Sequence, residues 1–202
     1  LNGTAAQSIS STTFNNLSVN KSAGTATLSG NIIINSDLSV QSGTLDLATY
    51  TSNRSAAGGQ LNISGGATLI AGGANNFPQN YAIQTAATTS TVHYNGTVAQ
   101  TVAGITYGNL IFSYGGASAK TLNASSTVNG DITINIGSSV NASSYTINLG
   151  GNWSNAGTFV PATSTLVLNG ISKTINGATT FNEITVYGSY AVINNSDITY
   201  NG

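Results

Sequence analysis

The side chains of this chain that could carry acid–base chemistry are few and scattered. His93 is the only histidine, and there are five acids in 202 residues: Asp37, Asp46, Asp131, Glu183 and Asp197. A general base needs a partner within hydrogen-bond reach, and no acid lies near His93 in the sequence. His93 could act as a base, but an outward surface position between Val92 and Tyr94 is the simpler interpretation.

The acids also fail to predict a polysaccharide-cleaving site, which needs several carboxylates on one surface. Asp131 and Asp197 occupy equivalent places in an internal repeat, and Glu183 stands where that repeat has Asn16 and Asn109. These equivalences indicate turn positions. Calcium-binding repeats would need many more carboxylates. The sequence therefore predicts no enzyme, with no catalytic residue, no metal site and no cofactor.

Composition excludes several further classes of protein. Only 4% of the residues are charged and the net charge is −1, whereas nucleic-acid binding needs clustered lysine and arginine. No apolar run approaches the ~20 residues of a membrane-spanning helix. There is no cysteine, so neither disulfides nor thiolate metal sites can form. We expect no nucleic-acid partner and no membrane insertion.

A motif of the form Asn-Gly-Thr-x-x-Gln, followed by a Thr-aromatic pair, occurs at 1–19 and 94–112, and a third copy at 168–186 keeps Asn-Gly and the Thr-aromatic pair but not the glutamine. Repetition of this kind is typical of solenoids. We interpret the chain, 1–202, as one β-solenoid built of a first unit (1–93), a second unit (94–167) and a truncated third unit (168–202). The first interval exceeds the second by 19 residues, about one turn of a parallel β-helix, so we expect one extra coil in the first unit.

Short segments that alternate apolar and polar residues predict β-strands, and no segment has helical spacing. The strands are predicted at 17–19, 26–28, 32–34, 38–40 and 45–47. Three such strands with their corners occupy about 20 residues, so the sequence predicts an all-β parallel β-helix with three strands per coil and roughly ten coils. We expect outward loops at 48–60 and 71–82. Corner asparagines such as Asn35 and Asn135 are expected to form amide ladders.

Aromatic residues near predicted turns are candidates for stacking on sugars. The candidate glycan contacts are Tyr50, Tyr114, Trp153 and Tyr190; the alternative is that these rings pack over coil edges. The sequon Asn-x-Ser/Thr occurs ten times, little more than composition alone would give. The candidate glycosylation sites are Asn16, Asn53, Asn123, Asn141 and Asn152.

The repeated pattern, continued by Gly-Asp/Asn-Ile-x-Ile-Asn, resembles tandem segments of giant secreted bacterial surface proteins, adhesin-like and of the Bacteroidetes type. The resemblance implies an extracellular β-solenoid used as a stalk, an adhesive surface or a fibre. It implies no ligand and no catalytic residue. Because the chain starts and stops inside copies of the motif, we expect it to be part of a longer polypeptide.

The leading functional prediction is an extracellular structural segment of a cell-surface fibre or adhesin. Its predicted partners are further copies of itself in a head-to-tail filament, flanking repeats of the same chain, and surface glycans. One alternative is a carbohydrate-binding module that uses exposed aromatic rings. A weaker alternative is an ice-binding solenoid, which would need repeated rows of Thr-x-Thr on one face, whereas 25–27 is an isolated case.

Overall fold

The computed structural model describes residues 1–74, 77–115, 118–187, 193–194 and 198–200. They form a parallel β-solenoid of about nine turns, and none of them lies in a helix. Register partners in neighbouring turns lie 18 to 24 positions apart. The predicted all-β parallel β-helix is confirmed. Within this described part of the chain, no helix is long and apolar enough to cross a membrane.

Each turn contributes short strands to three faces, which we number in chain order. Face 1 holds the first part of Leu17–Leu28 and of Leu38–Asp46, then Gly58–Ile63, Tyr81–Ala86, Thr106–Tyr107, Ser126–Val128, Thr146–Leu149, Thr165–Leu168 and Glu183–Val186. Face 2 holds Gln7–Ile9, the second part of the same two long strands, Thr68–Ala71, Thr91–Tyr94, Asn109–Phe112, Ile132–Ile134, Trp153–Asn155, Thr174–Asn176 and Ile193–Asn194. Face 3 holds Thr13–Phe14, Ile32–Ile34, Ser52–Arg54, Gln100–Val102, Lys120–Leu122, Ser139–Asn141, Thr158–Val160, Thr179–Phe181 and Ile198–Tyr200.

Face 2 is the continuous spine of the molecule. Its sheet runs through ten paired strands, from Asn2–Gly3, which pairs at the corner before face 2, to Ile193–Asn194. Faces 1 and 3 are both interrupted at one level, and the sheet of face 3 has a second break between Thr158–Val160 and Thr179–Phe181. On face 1, Tyr81–Ala86 packs beside Thr106–Tyr107 without forming a sheet with it. On face 3, the described residues between 55 and 99 contribute no strand.

The core is a column of inward aliphatic side chains stacked in register. Leu17, Leu38 and Leu61 are partners on face 1 in three successive turns, and each is at most 4% exposed. Alternation places every second side chain of a strand inside. A three-residue strand buries too little on its own, so each turn depends on its two neighbours for stability.

Two expectations about loops have different outcomes. The loop predicted at 48–60 is wrong, because Ser52–Arg54 is a regular strand of face 3 and Gly58–Ile63 one of face 1. The inward Ser52 is fully buried, and this polar residue broke the apolar alternation that the prediction used. The loop predicted at 71–82 is confirmed for 72–74 and 77–80, which contain no strand.

The three copies of the motif do not lie in the same phase of the solenoid. Phe14 and Phe181 lie on face 3, whereas the equivalent Tyr107 lies on face 1. Turns differ in length, so an equal stretch of sequence need not return the chain to the same face. The interval between the first two copies is therefore not a whole number of turns. The expectation of one extra coil in the first unit had assumed whole turns. The division into three units stays an interpretation of the sequence.

Candidate functional site

The acids that the structure describes act as hydrogen-bond acceptors within the stack. The Oδ1 of Asp131 accepts the backbone N–H of Asn152 at 2.7 Å, one turn away, and Asp37 does the same for Gln60 at 2.8 Å. Asp46 accepts a backbone N–H of its own turn. The predicted turn role of Asp131 is thus confirmed.

These carboxylates do not form a reactive group. Glu183 accepts a hydrogen bond from the Thr165 hydroxyl at 2.8 Å, and Asp197 lies outside the described residues. In the described ranges, no three side chains among histidine, cysteine, aspartate and glutamate are grouped to hold a metal ion.

Asparagine side chains also accept backbone N–H groups from the neighbouring turn. Asn109 Oδ1 accepts the N–H of Asp131 at 2.9 Å, and Asn152 Oδ1 accepts that of Thr174 at 3.0 Å. The expected amide-to-amide ladders of Asn35 and Asn135 are wrong, because these side chains bond to serine hydroxyls of neighbouring turns. A single carboxyl or amide oxygen replaces the strand hydrogen bond that a corner cannot make.

The five candidate sequon asparagines all accept a backbone N–H with their amide oxygen, four of them across turns and Asn141 within its own turn. The donors are backbone N–H groups of Asp37 for Asn16, Gln79 for Asn53, Gly104 for Asn123, Ser143 for Asn141 and Thr174 for Asn152. Their first role is therefore to hold turns together. Glycosylation of any of them stays a prediction.

His93 lies on face 2 with its ring half-buried, while Val92 and Tyr94 point inward as predicted. Its Nε2 lies 2.9 Å from the Ser113 hydroxyl, which also accepts a hydrogen bond from Asn135. Burial lowers the pKa of His93, and the nearby Lys120 cation lowers it further. Among the described residues no acid is hydrogen-bonded to the ring, so the ring lacks the carboxylate partner that commonly orients a general base.

The glutamine of the second motif copy closes a wide corner between faces 2 and 3. Gln100 Oε1 accepts the N–H of Gly96 at 2.8 Å, and its Nε2 donates to the carbonyls of Ala71 and Gly73 in the turn below. A Cβ on Gly96 would lie 2.5 Å from the Gly72 carbonyl oxygen. The motif glycine and glutamine are thus explained by close backbone approach and by unpaired corner carbonyls.

Buried lysines fill the same kind of corner. Lys120, stacked in register on Gln100, is fully buried and donates to the carbonyls of Gly96 and Tyr114 at 3.0 Å each. Burial lowers its pKa to about 8. Lys21, 1% exposed, donates to Gln7 of the first motif copy at 2.9 Å. These lysines supply several donors to carbonyls that have no strand partner.

The candidate glycan contacts are mostly unavailable. Trp153 is 1% exposed and packs against Phe159 and Phe181, so its assignment to the surface is wrong. It occupies the first inward position of a face 2 strand, although the glycine-rich turn before it suggested exposure. Tyr50 is half-buried against the core, and Tyr114 is 61% exposed. Tyr190 lies outside the described residues.

A buried pair of tyrosines marks the level at which faces 1 and 3 are interrupted. The hydroxyl oxygens of Tyr94 and Tyr107 lie 3.1 Å apart. The Ala103 N–H donates to Tyr94 at 3.1 Å, and Tyr107 donates to the Ala103 carbonyl. Phe77 packs against both rings, with centroids 6.2 and 6.4 Å away. The pair fixes the corner between face 3 and face 1, a feature that sequence reasoning missed.

A groove opens at this corner, with a volume of about 440 Å³. Its walls come from the strandless segment 77–80, from Gln84, from 101–105 and from Asn123. None of these side chains is charged. The groove can accept hydrogen-bonding ligands of low charge, and it has no group suited to bond cleavage. Comparison with known protein families, with curated proteins and with solved structures finds no match for this chain.

Proposed function

We propose that this chain is a stiff structural segment of an extracellular cell-surface fibre or adhesin. The observation that carries the proposal is the unbroken spine of face 2, in which ten strands pair in parallel from Asn2–Gly3 to Ile193–Asn194. Each pairing adds about 4.8 Å along one axis. A body of this kind transmits force along its length and sets a fixed distance between its ends.

The chemistry of the surface supports the same role. Charged residues make up 4% of the chain, and the described acids are used as caps within the stack. Such a surface responds little to salt. The resemblance of the repeats to those of giant bacterial surface proteins points to the cell exterior. Antibody labelling of intact cells of the source organism tests this location, and labelling only after cell lysis would contradict it.

A parallel stack can be extended at either end by another turn, which adds strands to its three sheets. We infer that such turns come from flanking repeats of the same polypeptide or from a second copy in a head-to-tail filament. Electron microscopy of the 202-residue chain at increasing concentration tests the second arrangement. Particles that grow in length by multiples of roughly 43 Å, the length of about nine turns, are expected. Particles of a single length at every concentration would contradict end-to-end assembly.

The ice-binding alternative receives limited support from the threonines. Thr25, Thr44, Thr68 and Thr91 are register partners on face 2 in four successive turns. The second outward row beside them contains Thr27, Asp46, Ile70 and His93, so paired threonines are not sustained. A measurement of thermal hysteresis distinguishes this alternative from the structural one, because a purely structural segment gives none.

A further inference from the structure

We propose that the groove bordered by residues 77–80, Gln84 and 101–105 binds a neutral sugar residue. This site goes beyond the structural role proposed above, and it differs from the exposed aromatic rings that the sequence suggested. The ligand would be an uncharged pyranose, free or at the end of a glycan chain.

The groove exists because two faces of the solenoid are interrupted at one level. Segment 77–80 forms no strand on face 3, and Tyr81–Ala86 makes no sheet with Thr106–Tyr107 on face 1. The sheets continue above and below this level, so paired strands flank the groove on both sides. Its volume of about 440 Å³ lies within the range of small-molecule sites, about 300–1,000 Å³.

The groove contains polar groups with unused hydrogen-bonding capacity. Gln84 Oε1 is buried and has no partner in the described structure, and its Nε2 reaches only the Tyr81 carbonyl at 3.5 Å. In the same part of the chain, the Gln79 amide and the Thr101 hydroxyl make no hydrogen bond to protein. A side-chain amide offers both a donor and an acceptor, as adjacent sugar hydroxyls require.

The remaining lining selects against charged ligands and for a ring with an apolar face. Phe77 and Pro78 are buried and Ile105 is half-buried, and all three line the groove. Because none of the lining side chains is charged, an anionic or cationic ligand would lose its hydration without gaining an ion pair. A neutral pyranose presents hydroxyls at its edge and C–H groups on its face, which matches this combination.

The hydrogen bonds of the tyrosine pair hold one wall of the groove in place. Tyr94 and Tyr107 bond to both the N–H and the carbonyl of Ala103, which lines the groove. In the other motif copies the equivalent residues lack hydroxyls: Leu1 and Phe14 in the first, Leu168 and Phe181 in the third. Only the motif copy that borders the groove therefore has the two hydroxyls that hold Ala103. A preformed wall reduces the entropy lost on binding.

Saturation-transfer NMR on the purified chain tests the proposal. The probes are methyl glycosides of glucose, galactose, mannose and N-acetylglucosamine, each at about 10 mM, a concentration suited to millimolar dissociation constants. Glucuronate and glucosamine serve as charged comparisons. We expect transfer to at least one neutral glycoside, and much weaker transfer to the charged sugars. No transfer to any neutral glycoside, or preferential transfer to a charged sugar, overturns the proposal.

Matched variants locate the site. Thr101 and Thr121 are register partners on the outward side of face 3, but only Thr101 lines the groove. We expect Thr101→Val to weaken binding several-fold and Thr121→Val to leave it unchanged. Gln84→Leu should weaken it at least about tenfold, since two hydrogen bonds to the ligand are lost. If neither the Thr101→Val variant nor the Gln84→Leu variant binds the sugar more weakly than the natural chain, the proposed site is contradicted. Filament assembly is measured separately and does not depend on this result.

Discussion

The regular stack at 118–181 and the irregular level at 77–107 fill the same kind of interior by different means. In the regular stack, Trp153 packs edge to face against Phe159 and Phe181 with centroids 4.8 and 5.1 Å apart, and the two phenylalanine rings are tilted towards each other at 5.7 Å. At the irregular level, the interior also holds the hydroxyls of Tyr94 and Tyr107. Apolar packing tolerates any turn that keeps its alternation, whereas buried polar groups require specific partners.

Face 2 explains how the molecule tolerates the difference. It is unbroken through both regions, so the two neighbours of an interrupted turn still pair with it. In a solenoid each turn contacts only the next, and a local departure does not propagate. One face can therefore carry the stiffness while the other two accommodate a groove.

The largest effect should come from removing the aromatic centre of the regular stack. Trp153→Ala is expected to cost roughly 3–5 kcal/mol of unfolding free energy, because the buried ring leaves a cavity and two unpaired aromatic partners. Urea denaturation measures the loss. Ser154→Ala, at the neighbouring outward position of the same strand, should change stability little. A loss below about 1 kcal/mol for Trp153→Ala would contradict its central packing role.

The tyrosine pair should make the irregular level sensitive to base. Burial raises the pKa of Tyr94 to about 12 and that of Tyr107 well above its usual 10. The folded state then keeps protons that the unfolded state loses, so stability is complete below pH 10 and falls as pH rises towards 12. Tyr107→Phe should cost about 1–3 kcal/mol at pH 7, since the Tyr94 hydroxyl and the Ala103 carbonyl lose a partner.

The comparison of pH profiles is the sharper part of this test. Tyr107→Phe removes one titrating group, so its stability should fall less steeply above pH 10 than that of the natural chain. Chemical denaturation between pH 7 and 11 measures both slopes, and the control is Phe181→Tyr, which introduces a hydroxyl at the equivalent motif position. Equal slopes for the natural chain and Tyr107→Phe would contradict the burial of this tyrosine as a neutral group.

A smaller and opposite pH dependence is expected from Lys120. Burial lowers its pKa to about 8 from 10.5, so its contribution to stability is complete above pH 10.5 and is lost as pH falls through 8. Lys120→Met should be less stable by about 1–2 kcal/mol in alkaline solution, because Gly96 and Tyr114 lose the donor to their carbonyls. The difference between the two proteins should shrink at pH 7. A difference that grows towards pH 7 would contradict this assignment.

The smallest effect belongs to the corner caps of the regular stack. Asp131→Ala should cost about 1 kcal/mol, because the Asn152 N–H loses its acceptor. Asp131→Asn should be close to neutral, since Asn109 and Asn152 make the same type of cap in neighbouring turns. Thermal unfolding ranks the three proteins. Equal losses for both variants would show that charge, rather than the acceptor oxygen, matters at this corner.

The strands of the regular regions could be predicted because the alternation of apolar and polar residues in each strand indicates which side chains are buried. Leu17, Val19, Leu38 and Val40 alternate with polar residues, and all four are buried. Alternation in a strand fixes which side chains point inward, whatever the rest of the chain does. Where a polar residue takes an inward place, as Ser52 does, the same rule fails.

The candidate site could not be predicted in the same way. Gln84 and Thr101 carry no motif in common and lie in strands of different faces, 1 and 3, with a face 2 strand between them in the chain; they line one groove only because the coil brings these two faces together at a corner. Trp153 was misplaced for a related reason, since a turn-like sequence before a residue does not say to which side its ring points. These contacts depend on corner lengths summed over many residues.

The sequence by itself determined the strand period, the three-sided turn and the parallel stack, because each depends on neighbours within a few positions. Only the tertiary structure decided on which face each motif copy falls, and where two of the faces are interrupted. The physical reason is that turns differ in length, from 18 to 24 residues, so copies of one motif reach different faces. A groove therefore forms beside one copy of the motif, at the level where both interruptions coincide.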